Sequence, residues 1–185
     1  LVQNTHTGAN LTSVNNTPLR TKLYVPQNRT DVVVRSRLLE YLNTGLSSKL
    51  TLVSAPAGFG KTSLLSSWQG KNALPLAWVS LDTQDNDPIH FWRYVTAALD
   101  TVQSGFAGSS LAALGSSQSP SIRGVLSLLI NEITLLQQQL VLVLDDYHVI
   151  ETVSIHQDLS FFLEHLPPNV HLFMLSRADP PLPLT

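Results

Sequence analysis

The chain has 185 residues, 43% of them hydrophobic and only 13% charged, with a formal net charge of −2 and no cysteine. A length of this order fits one compact domain, or one domain with a short arm, and the apolar share is enough for a large core. The near-neutral charge argues against a basic face that grips nucleic acid, and the lack of cysteine excludes disulfides and thiolate metal sites.

Residues 1–20 are rich in Asn and Thr without periodicity, which predicts a flexible N-terminal arm, with one domain over 21–185. Asp31 to Leu46 carries Leu38, Leu39 and Leu42 at helical spacing and closes at Gly45. Lys49 to Ser54 reads as a buried strand, and Thr62 to Gln69 as the helix after it. A second strand runs from Leu76 to Leu81 and ends on Asp82. Asp87 then caps a helix with Pro88 in its first position, where the missing N–H costs nothing. That helix is expected to reach about Gln103 and to bury Phe91, Trp92, Val95 and Leu99. Ser104 to Ser121 is rich in Gly and Ser and predicts irregular chain, with at most a short turn at Leu111 to Leu114.

Ile122 to Gln138 predicts a helix, and Leu140 to Leu144 a continuous apolar strand delivering Asp145 and Asp146. Ile155 to His165 predicts another helix, stopped by Pro167 and Pro168, and Val170 to Leu175 a last strand ending on Ser176 and Arg177. Fully apolar strands alternating with helices predict an α/β fold: a mostly parallel central sheet covered on both faces. Trp68, Trp78 and Trp92 fall on element faces and read as core. No apolar run reaches membrane-spanning length and no signal peptide heads the chain, so a cytoplasmic location away from membranes is expected.

The chemistry concentrates in Ala55-Pro56-Ala57-Gly58-Phe59-Gly60-Lys61-Thr62 with Ser63 following. A strand, a glycine-rich loop ending in Gly-Lys-Thr and a helix form a phosphate cradle: backbone N–H groups point inward, the lysine reaches the phosphates, and the Thr62 hydroxyl serves Mg²⁺. The helix aims the positive end of its dipole at the anion. Ala55 stands where the strict pattern has Gly, which predicts an ordinary rather than left-handed backbone at that position. Asp145, at the end of the apolar strand, reads as the second metal-side residue, and Asp146 as the base that orients or deprotonates water. The strand ends of a parallel sheet are where functional residues collect. On residues alone, Arg177 reads either as a γ-phosphate contact or as a surface arginine in a loop.

Six blocks come in a fixed order: Thr21-Lys-Leu-Tyr-Val-Pro26, Leu52-Val-Ser-Ala-Pro-Ala-Gly-Phe-Gly-Lys-Thr62, Ala77-Trp-Val-Ser-Leu-Asp82, Asp85-Asn-Asp-Pro88 with Phe91-Trp-Arg-Tyr94, Val143-Leu-Asp-Asp-Tyr-His148, and Leu175-Ser-Arg-Ala-Asp-Pro-Pro-Leu-Pro183. Over residues 21–185 the chain resembles the nucleotide-binding module of the large ATP-binding LuxR-type transcriptional regulators, the maltose regulon activator family. These belong to the STAND class of P-loop NTPases.

The resemblance implies a three-layer αβα fold, ATP or ADP with Mg²⁺ as cofactors, and a molecular switch reset by slow hydrolysis, a weak regulatory ATPase rather than a metabolic enzyme. It implies self-association of the full-length protein in the ATP state, and DNA contact only through a C-terminal domain. The winged-helix, sensor-repeat and DNA-binding parts would then lie outside residues 1–185. It also places the Ser176–Arg177 strand between the loop strand and the acidic strand, with Arg177 as γ-phosphate sensor. The segment from Val34 to Arg37 would line the adenine pocket, with Tyr24 to Pro26 nearby, although a proline common in that segment is missing here. Two other readings remain open from the residues: a turnover ATPase or kinase-like enzyme on the same loop, and a nucleotide-binding interaction module that hydrolyses nothing.

Overall fold

The computed structural model describes residues 18–27, 35–116 and 121–183. Residues 1–17 of the arm expected over 1–20, the start of the first predicted helix at 31–34 and the Val34 end of the expected adenine segment lie outside the described residues. In chain order the elements are α1 (Ser36–Gly45), β1 (Leu50–Ser54), α2 (Lys61–Gln69), β2 (Leu76–Ser80), α3 (Pro88–Asp100), α4 (Gly108–Gly115), α5 (Ile122–Thr134), β3 (Leu140–Asp145), α6 (Val153–Glu164) and β4 (Val170–Ser176).

The four strands form one all-parallel sheet in the order β1-β4-β3-β2. β3 and β4, the two central strands, are buried along their whole length, which is why their sequences run apolar without alternation. The side chains of β2, β3 and β4 divide between two cores. Trp78, Val141, Val143, Phe173 and Leu175 face α1 and α2, meeting Leu39, Leu42, Leu65 and Trp68. Ala77, Val79, Leu142, Leu144, Leu172 and Met174 face a larger core built from α3, α5 and α6. Helices on both faces of a parallel sheet give the expected three-layer αβα architecture. All three tryptophans are core residues. β4 lies between β1 and β3, the order that the family resemblance implies.

Several element ends are set by tertiary partners. α1 ends at Gly45, a position where a Cβ would collide with Thr51 Oγ1. On β4, the His171 ring bonds the Ser48 carbonyl and, at 3.1 Å, the Thr51 hydroxyl, which ties β4 to the start of β1. α5 stops at Thr134 rather than Gln138, and the Asn169 side chain donates to the freed carbonyls of Ile133 and Leu136 at 3.2 and 3.0 Å. α3 likewise ends at Asp100, short of Gln103.

The expectation of irregular chain at 104–121 is corrected by α4, an eight-residue helix. Its sequence is a weak helix former, and outside contacts hold it. Ser109 N and the Ser110 hydroxyl donate to the two Glu132 oxygens at 2.9 and 2.5 Å, and the buried Arg93 donates to Leu114 O at 2.7 Å.

A 3₁₀ turn, Arg20–Leu23, docks near the β2 edge of the sheet. Lys22 carries the attachment: its ammonium contacts Asp85 Oδ2 at 2.5 Å and Asp82 Oδ2 at 3.1 Å and lies 4.5 Å from the Tyr94 ring centre. Asp85 is fully buried and also accepts from Asp82 N at 2.8 Å in a reciprocal cap of the turn Thr83–Asn86. Removing one partner of a buried ion pair strands the other charge. Lys22→Met is therefore expected to cost roughly 3 kcal/mol in chemical denaturation, with part recovered in the double variant Lys22→Met/Asp85→Asn. Equal losses in the single and double variants would contradict the pairing.

Candidate phosphate-binding site

β1 ends at Ser54, and the next residue, Ala55, still pairs with β4 through Ala55 N to Ser176 O at 3.2 Å. From there the chain leaves the sheet and returns as α2. Two residues of the loop need left-handed backbone, Gly58 (φ 80°) and Gly60 (φ 78°), and a side chain at either would be strained. Ala55 is not among the positive-φ residues, so the departure from the strict pattern falls where glycine is not needed. Gly60 is the N-cap of α2 and, as glycine, offers no side chain to cap the first turn.

Lys61 folds back over its own loop and is largely buried, donating from Nζ to Ala55 O at 2.6 Å and Pro56 O at 3.2 Å. Phe59 is 60% exposed, and its carbonyl accepts from Arg35 Nη1 at 3.3 Å. Ala57 and Ser63 hold the positions the sequence gives them, in the loop and in the first turn of α2.

The Thr62 hydroxyl meets Asp145 at 3.0 Å (Oδ2) and 3.2 Å (Oδ1), bringing together residues 83 apart in sequence. Asp146 N donates to Asp145 Oδ1 at 3.0 Å. Burial, helped by the neighbouring Asp146 charge, pushes the Asp145 carboxyl up to about 6, against the opposing pull of the Thr62 hydroxyl, Asp146 N and Lys61. Asp146 itself is left-handed (φ 58°, ψ 37°), the only non-glycine residue so placed among those described. The 3₁₀ turn Tyr147–Val149 follows, and His148 Nδ1 comes back to 3.7 Å from Asp146 Oδ1. Burial first, then the charges of Arg177 and Lys61, hold the His148 ring below its usual proton affinity, against the opposing pull of Asp146. Arg177 is exposed, one residue beyond the end of β4.

The structure thus joins Thr62 and Asp145 by direct contact, holds Lys61 on the loop carbonyls, and brings His148 to 3.7 Å from Asp146. Asp82, the fourth polar strand end, stands on the far edge strand and is engaged with Lys22 instead. Two residues escaped the sequence reading of this site. Arg35 falls in the expected adenine segment but bonds the glycine-rich loop, and His148, which closes the Val143–His148 block, has no site role in the sequence reading.

Together these features define a three-layer αβα domain with a parallel sheet and a glycine-turned loop backed by a buried carboxylate. No family model matches the chain. Over 161 residues, 87% of the chain, it is 39% identical to the HTH-type transcriptional regulator MalT of Yersinia enterocolitica and 40% identical to that of Serratia proteamaculans. It is 38% identical over the same length to the Yersinia pestis protein of that name. The chain spans 18% of the length of each of these relatives. They are homologues of the chain, and they are regulators of the kind that the sequence blocks resemble. Among the described residues no helix is long and apolar enough to cross a membrane.

The raised Asp145 pKa has a stability consequence with a definite sign. A carboxyl that titrates near 3.9 unfolded and about 6 folded binds its proton more tightly in the native state, so stability falls as pH rises through that window. Above pH 6 the ionised side chain costs on the order of 3 kcal/mol, at about 1.4 kcal/mol per pH unit. Asp145→Asn, which keeps an acceptor for Thr62, is expected to raise the melting temperature of the ligand-free domain by several degrees at pH 7.5. The gain should disappear below about pH 4. A variant less stable than wild type at pH 7.5 would contradict this.

Proposed function

We propose that this chain is the nucleotide-binding switch module of an HTH-type, LuxR-family transcriptional regulator, binding ATP or ADP with Mg²⁺ and resetting by slow hydrolysis. The observation that carries the reading is the Thr62–Asp145 contact beneath the glycine-turned loop. A hydroxyl and a buried carboxylate, held together and flanked by a lysine, are the donor set that a hard, oxygen-seeking cation beside phosphates requires.

The residues fit the cofactors. The glycine-led first turn of α2 and the loop backbone suit phosphate oxygens, and the space that a Cβ would occupy at Gly58 and Gly60 is open. Thr62 and Asp145 would hold Mg²⁺, which, when bound, neutralises charge on the phosphates. Lys61 already stands over the loop and exchanges its carbonyl partners for phosphate. Asp146 orients water, and Arg177 supplies a cation that only a triphosphate engages. Arg35, bonded to Phe59 O, steadies the outer turn of the loop.

The relatives' printed name supports the regulatory rather than metabolic setting. DNA binding and self-association in the ATP state would belong to the full-length regulator, in the cytoplasm, through parts outside residues 1–185. The rest of the mechanism is a population shift: ATP favours the active form only to the extent that contacts such as Arg177's are absent with ADP.

Isothermal titration with both nucleotides tests this. Lys61→Ala should abolish measurable binding of either. Arg177→Ala should weaken ATP about tenfold or more and leave ADP nearly unchanged, because one charge-assisted hydrogen bond is worth about 1.5–3 kcal/mol. Equal affinity of wild type and Lys61→Ala would overturn the site, and equal weakening of both nucleotides by Arg177→Ala would make that residue structural.

A further inference from the structure

The end of β2 stands beside the Thr62–Asp145 contact and is fastened there. In the parallel register Ser80 is the partner of Asp145, and the ladder continues one step further through Leu81 N to Asp145 O at 3.0 Å. The chain that follows β2 is held from two sides. Lys22 contacts Asp82 and Asp85. Asn86 donates to Val149 O at 2.8 Å and accepts from Glu151 N at 2.7 Å, which pins the turn after β3 as well. Ser80 therefore keeps a fixed place relative to the acid pair.

Side chains alternate along a strand, so the facing of Ser80 follows from its neighbours. Ala77 and Val79 lie in the larger core, and Trp78 in the core under α1 and α2. Ser80 shares the Trp78 face, as Asp145 shares that of Val141 and Val143, and there Asp145 meets Thr62 of α2. Paired residues on strands about 4.8 Å apart, both turned to α2, put the serine hydroxyl on the flank of the carboxylate. That hydroxyl is only half committed. Fully buried Trp78 donates from Nε1 to Ser80 Oγ at 3.0 Å, which fills one acceptor position. Among the described residues Ser80 makes no other side-chain hydrogen bond, so one hydrogen and one lone pair are left to offer. Ser80 is half-buried where Asp145 is buried, so the strand ends open on the serine's side. A hydroxyl and a carboxylate side by side, unbonded to each other and open at one flank, form an arrangement that a shared water completes.

We propose that Ser80 is a further positioning residue of this site: Ser80 Oγ and Asp145 share one water, which with nucleotide bound is one of those that Mg²⁺ retains. The second half of this rests on the nucleotide-binding reading above. Magnesium held by one or two carboxylates and by phosphates keeps several waters, and their direction is set by what surrounds them. The serine suits both states. It can give its hydrogen to a free water, or accept from a metal-bound one whose own lone pair is spent on the metal. Trp78 has a part in this, since its N–H occupies the lone pair nearest the core. Ser80 makes no contact with nucleotide itself, so its loss weakens the metal and spares nucleotide taken up without metal.

Two measurements test this. Crystals of the nucleotide-free protein should show a water within about 3.2 Å of both Ser80 Oγ and an Asp145 oxygen, and crystals of Ser80→Ala should lack it. With Mn²⁺ in place of Mg²⁺, followed by electron paramagnetic resonance, Ser80→Ala should weaken metal binding to the protein–ADP complex roughly tenfold. Calorimetry with ADP in the presence of a chelator should show a change of less than about twofold. Ser80→Thr, which keeps the hydroxyl, should bind Mn²⁺ close to the wild-type value. A serine present only to accept from Trp78 would lower the melting temperature of Ser80→Ala and leave Mn²⁺ affinity where it was, and that result overturns the proposal. So do nucleotide-free crystals without the shared water, or equal weakening of ADP with and without metal. If wild type binds no nucleotide, the functional reading fails separately, and the crystal water still decides whether Ser80 and Asp145 share it.

Discussion

The insertion of β4 between β1 and β3 is the constraint on which the site depends. β1 ends in the glycine-rich loop, β3 in the acid pair and β4 in Ser176 and Arg177, and parallel pairing forces all three ends to the same side of the sheet. Two-sided burial makes that order hard to change, because β3 and β4 carry no polar face that could be turned to water. The Ala55 N to Ser176 O bond extends the β1–β4 ladder to the lip of the loop, and His171 secures its other end. Three chemical groups distant in sequence are thereby brought to one end of the sheet by parallel strand pairing and two-sided apolar burial.

Within that frame Asp145 and Lys61 are each held by neutral hydrogen-bond partners. Asp145 is buried with a hydroxyl and a backbone N–H as its partners rather than a cation, a costly arrangement for an ionised carboxylate. Lys61 is satisfied only by carbonyl oxygens, which have no formal charge to offer. A divalent cation at Asp145 and phosphate at Lys61 would each relieve such an imbalance, so binding energy and the electrostatic cost of the free site are linked. Sites of this kind give up stability for function.

The sequence made the framework legible because strand and helix periods, the cap at Asp87 and the Gly-Lys-Thr and Asp-Asp pairs are local signals. Strand order was different: no local pattern encodes it, and it was reached through the family resemblance. α4 was missed because its stability comes from Glu132 and Arg93, far along the chain, rather than from its own Gly- and Ser-rich residues. The early end of α5 belongs to Asn169 in the same way. His148 was invisible as a site residue since only the pinned 3₁₀ turn brings it back onto Asp146, and Arg35 reached the loop by a contact that no spacing rule describes.

The central claim, that the loop and the first turn of α2 take nucleotide phosphates, is tested most directly by amide hydrogen exchange. In free protein the N–H groups at the start of α2, whose N-cap is a glycine, should exchange quickly. Saturating Mg-ADP should slow them strongly, with a smaller effect at Asp145 and Asp146 and little change in α4 or α5. Unchanged exchange across Gly58–Ser63, or protection centred elsewhere in the chain, would contradict the account.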